Sequence, residues 1–308
     1  MYDCGVQISV IVPVFNGERY LKETLDSILI AGSNIYYEVI VVNDGSWDAT
    51  EEIVESFEDP RVSYIRTENL GEAHAVNLGL KHARGKYCLV LSHDDPIIDF
   101  EHLVHDAVAI MEEDEAIGCV YPDWRIINKD GKVVRVVRTQ NFDSRVLYGK
   151  MECLPGPGSI FRTRIAIQIG GRSDHLRYTS DYEFWLRYSE EIGFKRNPKV
   201  LANWRMHPGS TSVKDRSIQM LVERISVVSQ FQSRHEDISA LKPSAISHAY
   251  LSASIIGVRI EGFPFKSYAV ESVRIFPKIL LSKSAKRLTI LLLVPRRIIK
   301  FGVTFLGG

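Results

Sequence analysis

Tyr87-Cys88-Leu89-Val90-Leu91-Ser92-His93-Asp94-Asp95-Pro96 is a strand that stops on charge. A short apolar run with aromatic and β-branched members has the composition of a buried strand. Its end delivers two adjacent carboxylates, Asp94 and Asp95, to the rim of a sheet. Open α/β sheets bind their ligands at that rim, and neighbouring carboxylates repel unless a cation lies between them. One reading is a divalent-metal site holding a phosphorylated ligand. The other is an Asp-Asp-Pro turn that caps the next helix, and these residues alone leave both open.

Upstream the same rhythm repeats. Ile8 to Val12 reads as a first strand ended by Pro13, followed by the loop Phe15–Glu18 and a helix from about Glu18 to Ile30. Leu21, Leu25, Ile28 and Leu29 fall on one face of that helix. Glu38 to Val42 is a second strand running into Asn43-Asp44-Gly45-Ser46, and Asp48 is expected to start a helix with Glu51 as its capping-box partner. A third strand, Val62 to Arg66, precedes a helix from Glu72 to Ala83 that Gly85 closes. Strand and helix thus alternate over the first 115 residues, which predicts an α/β fold with a mostly parallel sheet and right-handed crossovers. The polar loops Phe15–Glu18, Asn43–Ser46 and Ser92–Asp95 are expected to meet along one rim, where a nucleotide would lie. Asp44 is equally the residue type that simply turns a chain. No Gly-x-Gly-x-x-Gly opens the first helix and no Gly-Lys-Ser/Thr loop occurs, which disfavours a hydride-transfer enzyme and a P-loop NTPase.

Beyond residue 117 the alternation breaks. Ile117 to Tyr121 is strand-like, Arg125 to Arg138 reads as a hairpin turning at Asp130-Gly131, and Leu154-Pro155-Gly156-Pro157-Gly158-Ser159 is a loop. A helix spans Ser180 to Glu191, and a last strand, Val200 to Arg205, runs into Met206-His207-Pro208-Gly209-Ser210. From there helices are expected at 217–235, 244–260, 266–281 and 284–301, so the chain divides into an α/β domain, 1–215, and a helical extension, 216–308.

The net charge of zero conceals a polarity. After Glu271 come eight lysines and arginines and no acid, leaving about −8 on the first 271 residues. The apolar runs Ile290–Val294 and Ile298–Val303 flank Arg296-Arg297, a pattern that suits a membrane interface or a contact with the main domain or a second subunit in a homodimer. The four cysteines lack metal-ligand spacing, and Cys88 and Cys119 sit in apolar runs as buried thiols would. The start of the chain has no signal-peptide character, and no apolar run reaches the roughly 18 to 20 residues of a spanning helix. The expected location is cytoplasmic, at the inner face of the cell membrane if the tail binds lipid; no nucleic-acid partner is expected.

Six blocks then carry a resemblance: VIVPVFNGERYL, VNDGSWDAT, NLGEAHAVNLGLKHARGKY, LSHDD, TSDYEFWLR and WRMHPGS. In order and spacing they resemble the signature blocks of family 2 glycosyltransferases, over roughly residues 6 to 212. The resemblance implies the GT-A fold, a nucleoside-diphosphate-sugar donor, UDP-sugar in preference, and Mg²⁺ or Mn²⁺ as cofactor. It also implies inversion at the anomeric carbon in a single displacement, onto a glycan or lipid-linked acceptor in surface-polysaccharide assembly. Carried over by position, Pro13, Val14, Phe15, Asn16, Glu18 and Asp44 line the base and ribose pocket, and Asn77 is a further donor-binding residue. Asp94 stands on the ribose or metal side, Asp95 is the main metal ligand, and Asp181 is the catalytic base. Arg205 and His207 close the site over the diphosphate, with His207 also a metal-ligand candidate.

The chemistry fits those residue types. A sugar hydroxyl is a poor nucleophile, so a carboxylate must take its proton as the new bond forms. The departing diphosphate gains negative charge that a divalent cation and a basic group stabilise. Oxygen ligands without cysteine or clustered histidine suit Mg²⁺ or Mn²⁺ over zinc. Two positions depart from the family: Ser92 stands where an aspartate is common, and Val76 where an arginine is common. The first supports the alternative of a catalytically silent nucleotide-sugar-binding protein; the second bears on donor choice. A nucleotidyltransferase would carry a Gly-rich basic loop after the first strand, which VFNGERYL is not. Aspartate at a helix start is also favoured by the helix dipole alone, and Trp124, Trp185 and Trp204 are either core residues or sugar-stacking platforms.

Overall fold

The computed structural model describes residues 6–31, 35–153, 155–210, 217–282 and 285–294. It resolves into two units, one of residues 1–142 and 153–210, the other of 143–152 and 211–308.

The first unit is built on one eight-stranded sheet. Its strands are β1 (Ile8–Val14), β2 (Tyr37–Asp44), β3 (Val62–Thr67), β4 (Tyr87–Val90), β5 (Ile117–Asn128), β6 (Val133–Val137), β7 (Ile160–Arg162) and β8 (Gly193–Met206). The order is β3-β2-β1-β4-β7-β5-β6, with β8 also pairing β5. Strands β3, β2, β1 and β4 are parallel, as the βα alternation predicts. Helices α1 (Leu21–Leu29), α2 (Thr50–Glu55), α3 (Glu72–His82) and α4 (Phe100–Glu113) make the connections. Strand β1 is buried along its whole length, which is why it reads as a continuous apolar run. Leu21, Leu25 and Ile28 of α1 and Leu103, Val104 and Met111 of α4 join the same core, each contributing roughly 1.5–3 kcal/mol by burial.

β7 is antiparallel to β4 and also to β5, while β8 is parallel to β5. Two reversals restore the original direction, so the C-terminal end of β8 faces the same rim as the ends of β1, β2 and β4. That places Arg205 and His207 on the side of Asp94 and Asp95 despite the distance in sequence.

Several local expectations change. The strand and hairpin expected at 117–138 are one long β5 paired with β6, because its pairing with β8 runs on to Asn128. The last strand begins at Gly193 rather than Val200. The α2 helix starts at Thr50, since Asp48 forms a turn: its Oδ1 accepts from Thr50 N at 3.1 Å and its Oδ2 from Glu18 N at 3.0 Å. Glu51, instead of closing a capping box, pairs with Arg66. β7 and helix α6 (Thr163–Gln168) went unread. Pro155–Ser159 is free of helix and strand as expected, while Leu154 lies outside the described residues. Cys88 and Cys119 are buried free thiols.

The second unit is helical: α5 (Ser144–Gly149), α8 (Ile218–Gln230), α9 (Glu236–Ser239), α10 (Lys242–Gly257), α11 (Phe265–Ile275), a 3₁₀ turn (Pro277–Leu281) and α12 (Ala285–Leu293), numbered to leave α7 for Ser180–Tyr188 of the first. Residues 143–152, which the sequence placed with the first domain, belong here. Tyr148 packs against Phe231 and donates to Val228 O, and Ser244 Oγ donates to Gly149 O. Leu221, Leu251, Phe263, Phe265, Leu288 and Leu291 form this unit's own core. The expected helical residues 295–301 and the apolar run Ile298–Val303 lie outside the described residues.

Candidate functional site

The loops after β1 and β2 are clasped together at the rim. Ser46 Oγ accepts from Asn16 N and Thr50 Oγ1 from Gly17 N, both at 2.8 Å, while Asn16 Oδ1 accepts from Trp47 N at 3.1 Å. Asn16 has φ +53°, a left-handed conformation that asparagine tolerates better than most residues. Gly17 is required by space: a Cβ there would lie 2.4 Å from Val14 Cγ2 and 3.0 Å from His93 Cδ2. The first loop is thereby brought against the β4 loop. Pro13 and Val14 are buried in β1, whereas Phe15 and Glu18 are exposed at the rim.

Asp44, 4% exposed, has both carboxylate oxygens engaged by backbone, accepting from Leu70 N at 2.8 Å and Gly71 N at 2.9 Å. Burial pushes its carboxyl above the usual range and those two N–H groups pull it back. It holds the approach to α3. Asn77 of α3 is similarly occupied: Nδ2 donates to Arg172 O at 2.7 Å and Oδ1 accepts from Arg172 N at 2.8 Å.

The end of β8 is laced to the acidic pair. Asn203 Nδ2 donates to Pro96 O at 2.7 Å, and Ile98 N to Leu201 O at 3.0 Å. Arg205, 1% exposed, donates from its backbone N to Asp95 Oδ1 at 2.6 Å and from Nε to Asp94 O at 2.8 Å. Its Nη2 reaches Glu23 Oε2 at 2.7 Å, and its guanidinium lies 4.6 Å from the centre of the Tyr20 ring. His207 Nε2 is 2.8 Å from Asp94 Oδ2 and its ring packs on Tyr20 at 4.8 Å. Burial, and next the charge of Asp94, push the Asp95 carboxyl well above the ordinary carboxylate range. The Arg205 backbone N–H and charge offset this in part.

A cleft of about 210 Å³ opens beside Asp95. Asp181, in the first turn of α7, lines it with Asp95 and Ser92; Phe161, Phe184, Trp185 and Trp204 supply apolar wall, and Pro155-Gly156-Pro157 one margin. The volume is below the roughly 300–1,000 Å³ of sites that take a whole drug-sized ligand, so the cleft has room for a smaller group. Trp185 is both core, edge-on to Phe161 and Tyr188, and cleft wall. The structure therefore brings Asp95 and Asp181 to one cavity and gathers Asp94, Arg205 and His207 beside it. Glu23, Tyr20, Glu72 and Arg172 were missed by sequence reading; an exposed-looking Glu in a helix and an arginine after two glycines carry no local signal of their placement.

The two buried acids also fit a divalent cation. Among the described residues no three of His, Cys, Asp or Glu converge as a ready-made cage. Mg²⁺ is usually held by one or two carboxylates plus substrate phosphates, and two adjacent buried carboxylates at a sheet rim are such a donor set.

Comparison with known proteins identifies the family. The description "Glycosyl transferase family 2" matches residues 9–170. An uncharacterized glycosyltransferase of Rickettsia prowazekii is 30% identical over 85% of this chain and 82% of its own length. Among solved structures, S. aureus TarS 1-349 in complex with UDP-GlcNAc superposes with a TM-score of 0.66 at 19% identity, covering 96% of this chain and 87% of that one. The mannosyltransferase PcManGT of Pyrobaculum calidifontis, in complex with GDP-Man and Mn2+, gives 0.57 at 17% identity, covering 98% and 88%. The sheet is thus the GT-A type, and the chain belongs to glycosyltransferase family 2.

Proposed function

We propose that this glycosyltransferase is an inverting, metal-dependent enzyme that moves a sugar from a nucleoside-diphosphate sugar, UDP-sugar in preference, to a hydroxyl of a glycan or lipid-linked acceptor. The observation that carries the reading is the shared cleft of Asp95 and Asp181. A single displacement needs a base for the incoming hydroxyl and a stabilised leaving diphosphate. Asp181, exposed in the first turn of α7, takes the hydroxyl proton. Asp94 and Asp95 would hold Mg²⁺ or Mn²⁺, whose chemistry is to neutralise charge on the leaving diphosphate. Arg205 fixes both acids through its backbone N–H and Nε. His207, with Nε2 on Asp94, orients that carboxylate and adds donor capacity near the diphosphate.

The surroundings of the second unit support an acceptor at a lipid surface. Leu281 is 89% and Leu293 76% exposed. Exposed Lys278 and Lys286 lie in the same stretch, in a segment with no acid after Glu271. No helix among the described residues is long and apolar enough to cross a membrane. We place the protein at the inner face of the cell membrane, in surface-polysaccharide assembly.

The test is release of nucleoside diphosphate from a panel of nucleotide-sugars with Mn²⁺, comparing wild type with Asp181→Asn and Asp95→Asn. Release from one donor, abolished by chelation and lost about 100-fold or more in each variant, is expected, since each removes a group acting on the reacting bonds. Nucleotide binding without release, unaffected by either substitution and with acceptors supplied, would establish a silent binding protein instead.

A further inference from the structure

The cleft wall carries an ion pair that the proposed chemistry does not use. Arg172 Nη1 lies 2.7 Å from Glu72 Oε1, and both residues line the cleft with Asp95 and Asp181. The arginine is held from two sides. Asn77 grips its backbone N–H and C=O, and Arg187 of α7 donates to Ile169 O at 2.5 Å and Gly171 O at 2.6 Å. Gly171, at φ +69°, makes this grip possible, because a Cβ there would stand 2.2 Å from Asn77 Oδ1. The helix that carries Asp181 and the helix that carries Glu72 therefore both fix where Arg172 sits.

The Arg172 side chain is only 12% exposed, yet its Nε and Nη2 make no hydrogen bond among the described residues. Glu72 Oε2 likewise accepts none, in a side chain 59% exposed. A fixed fork of donors next to a charged acceptor is the arrangement that recognises hydroxyls, since each hydroxyl both donates and accepts. Val76, where the family commonly has arginine, also lines the cleft, so Arg172 is the one cation among the described lining residues. The same lining holds three carboxylates, Glu72, Asp95 and Asp181. Arg172 is already paired with Glu72, so apart from the acid pair that would hold the cation the lining keeps the negative charge of Asp181, which disfavours an added carboxylate.

We propose that the Arg172–Glu72 pair is the subsite that reads the hydroxyls of the transferred sugar, and that this sugar is neutral, a hexose or N-acetylhexosamine, not a uronic acid. The inference rests on the reading of the cleft as the donor-sugar site. The decisive quantity is the gain in affinity of a nucleotide-sugar over its own nucleotide. A structural fault moves both, whereas loss of a hydroxyl-reading group moves only the gain.

Calorimetry with Mn²⁺ would measure UDP, GDP and dTDP, the neutral hexose and N-acetylhexosamine derivatives of each, and UDP-glucuronate. The proteins are wild type, Arg172→Gln, Arg172→Lys and Glu72→Gln. We expect a neutral donor to bind at least tenfold more weakly to Arg172→Gln and Glu72→Gln, with affinity for the bare nucleotide kept within twofold. Arg172→Lys should recover part of the loss, and UDP-glucuronate should bind wild type no better than UDP. An unchanged sugar-dependent gain in both Gln variants, or UDP-glucuronate as the preferred ligand, would overturn the subsite while leaving the donor site intact. Failure of wild type to bind any nucleotide in the panel would overturn the donor-site reading itself.

Discussion

Replacing Arg205 by alanine tests whether the end of β8 is what assembles the acidic pair. The backbone N–H to Asp95 survives the substitution, so the loss is confined to the side chain. Removing Nε leaves the buried Asp94 carbonyl without its 2.8 Å donor, a cost of about 1–3 kcal/mol. The guanidinium over Tyr20, at 4.6 Å and 1% exposed, adds about 1–2 kcal/mol in a desolvated setting. The Glu23 contact adds about 1 kcal/mol at most, because that carboxylate is 53% exposed and screened by solvent. Together these give about 2–6 kcal/mol. All four tryptophans, Trp47, Trp124, Trp185 and Trp204, lie in the first unit, so tryptophan fluorescence, excited selectively over tyrosine, reports the unfolding of that unit. With a urea slope of about 2 kcal/mol/M, the midpoint should fall by roughly 1–3 M. Nucleoside-diphosphate release should fall by about tenfold or more in the variant that remains folded, because small displacements of positioned groups are costly. A midpoint within about 0.5 M of wild type, equivalent to about 1 kcal/mol, would refute the claim that Arg205 stitches the site.

Two further outcomes follow from other parts of the chain. Asp123 is fully buried and accepts from Arg196, Arg138 and Thr139; burial raises its carboxyl, but these donors together hold it below the ordinary range. A depressed carboxyl stabilises above its unfolded pKa of about 3.9 and loses that contribution as pH falls through the folded value. Asp123→Asn should therefore cost about 2–3 kcal/mol near neutral pH, with the difference from wild type shrinking below about pH 4, read by the same fluorescence midpoint. For the second unit, the full chain should pellet with anionic vesicles and not with zwitterionic ones. Leu281→Ser with Leu293→Ser should abolish that, and equal pelleting of the variant would remove the lipid reading.

The first half of the sheet was legible because its physics is local. A strand buried on both faces must be apolar throughout, as β1 is, and the helices between strands must show a single apolar stripe, as α1 does with Leu21, Leu25 and Ile28. Polar residues placed directly after such strands have little option except the rim, which is why Asn16, Asp94 and Asp95 could be named. The parts misread were those settled by partners far away in the chain. β7 is three residues long and exists because β4 and β5 flank it. β8 extends back to Gly193 through pairing with β5, which no window around Val200 contains. Gly85 looked like a helix stop, yet its constraint is distant: a Cβ would stand 2.5 Å from Ser9 N.

The same division of local and distant determinants governs how the site residues are held. The resemblance implies donor-pocket roles for Asp44 and Asn77, and in the structure their polar atoms bond Leu70, Gly71 and Arg172. A carboxylate buried to 4% exposure must be satisfied by something, and at this rim the chain itself supplies the donors. Both residues order the chain around the cleft: Asp44 fixes the residues just before α3, and α3 carries Glu72 and Asn77, which contact Arg172. The arginine common in the family at position 76 is missing, yet a guanidinium still reaches the cleft wall beside Val76, from a loop 95 residues further on than the asparagine that anchors it. A substitution at Asn77 should accordingly behave as a change at Arg172. It should weaken the sugar-dependent part of donor binding and leave the nucleotide-dependent part, since its amide touches only the backbone that aims the guanidinium.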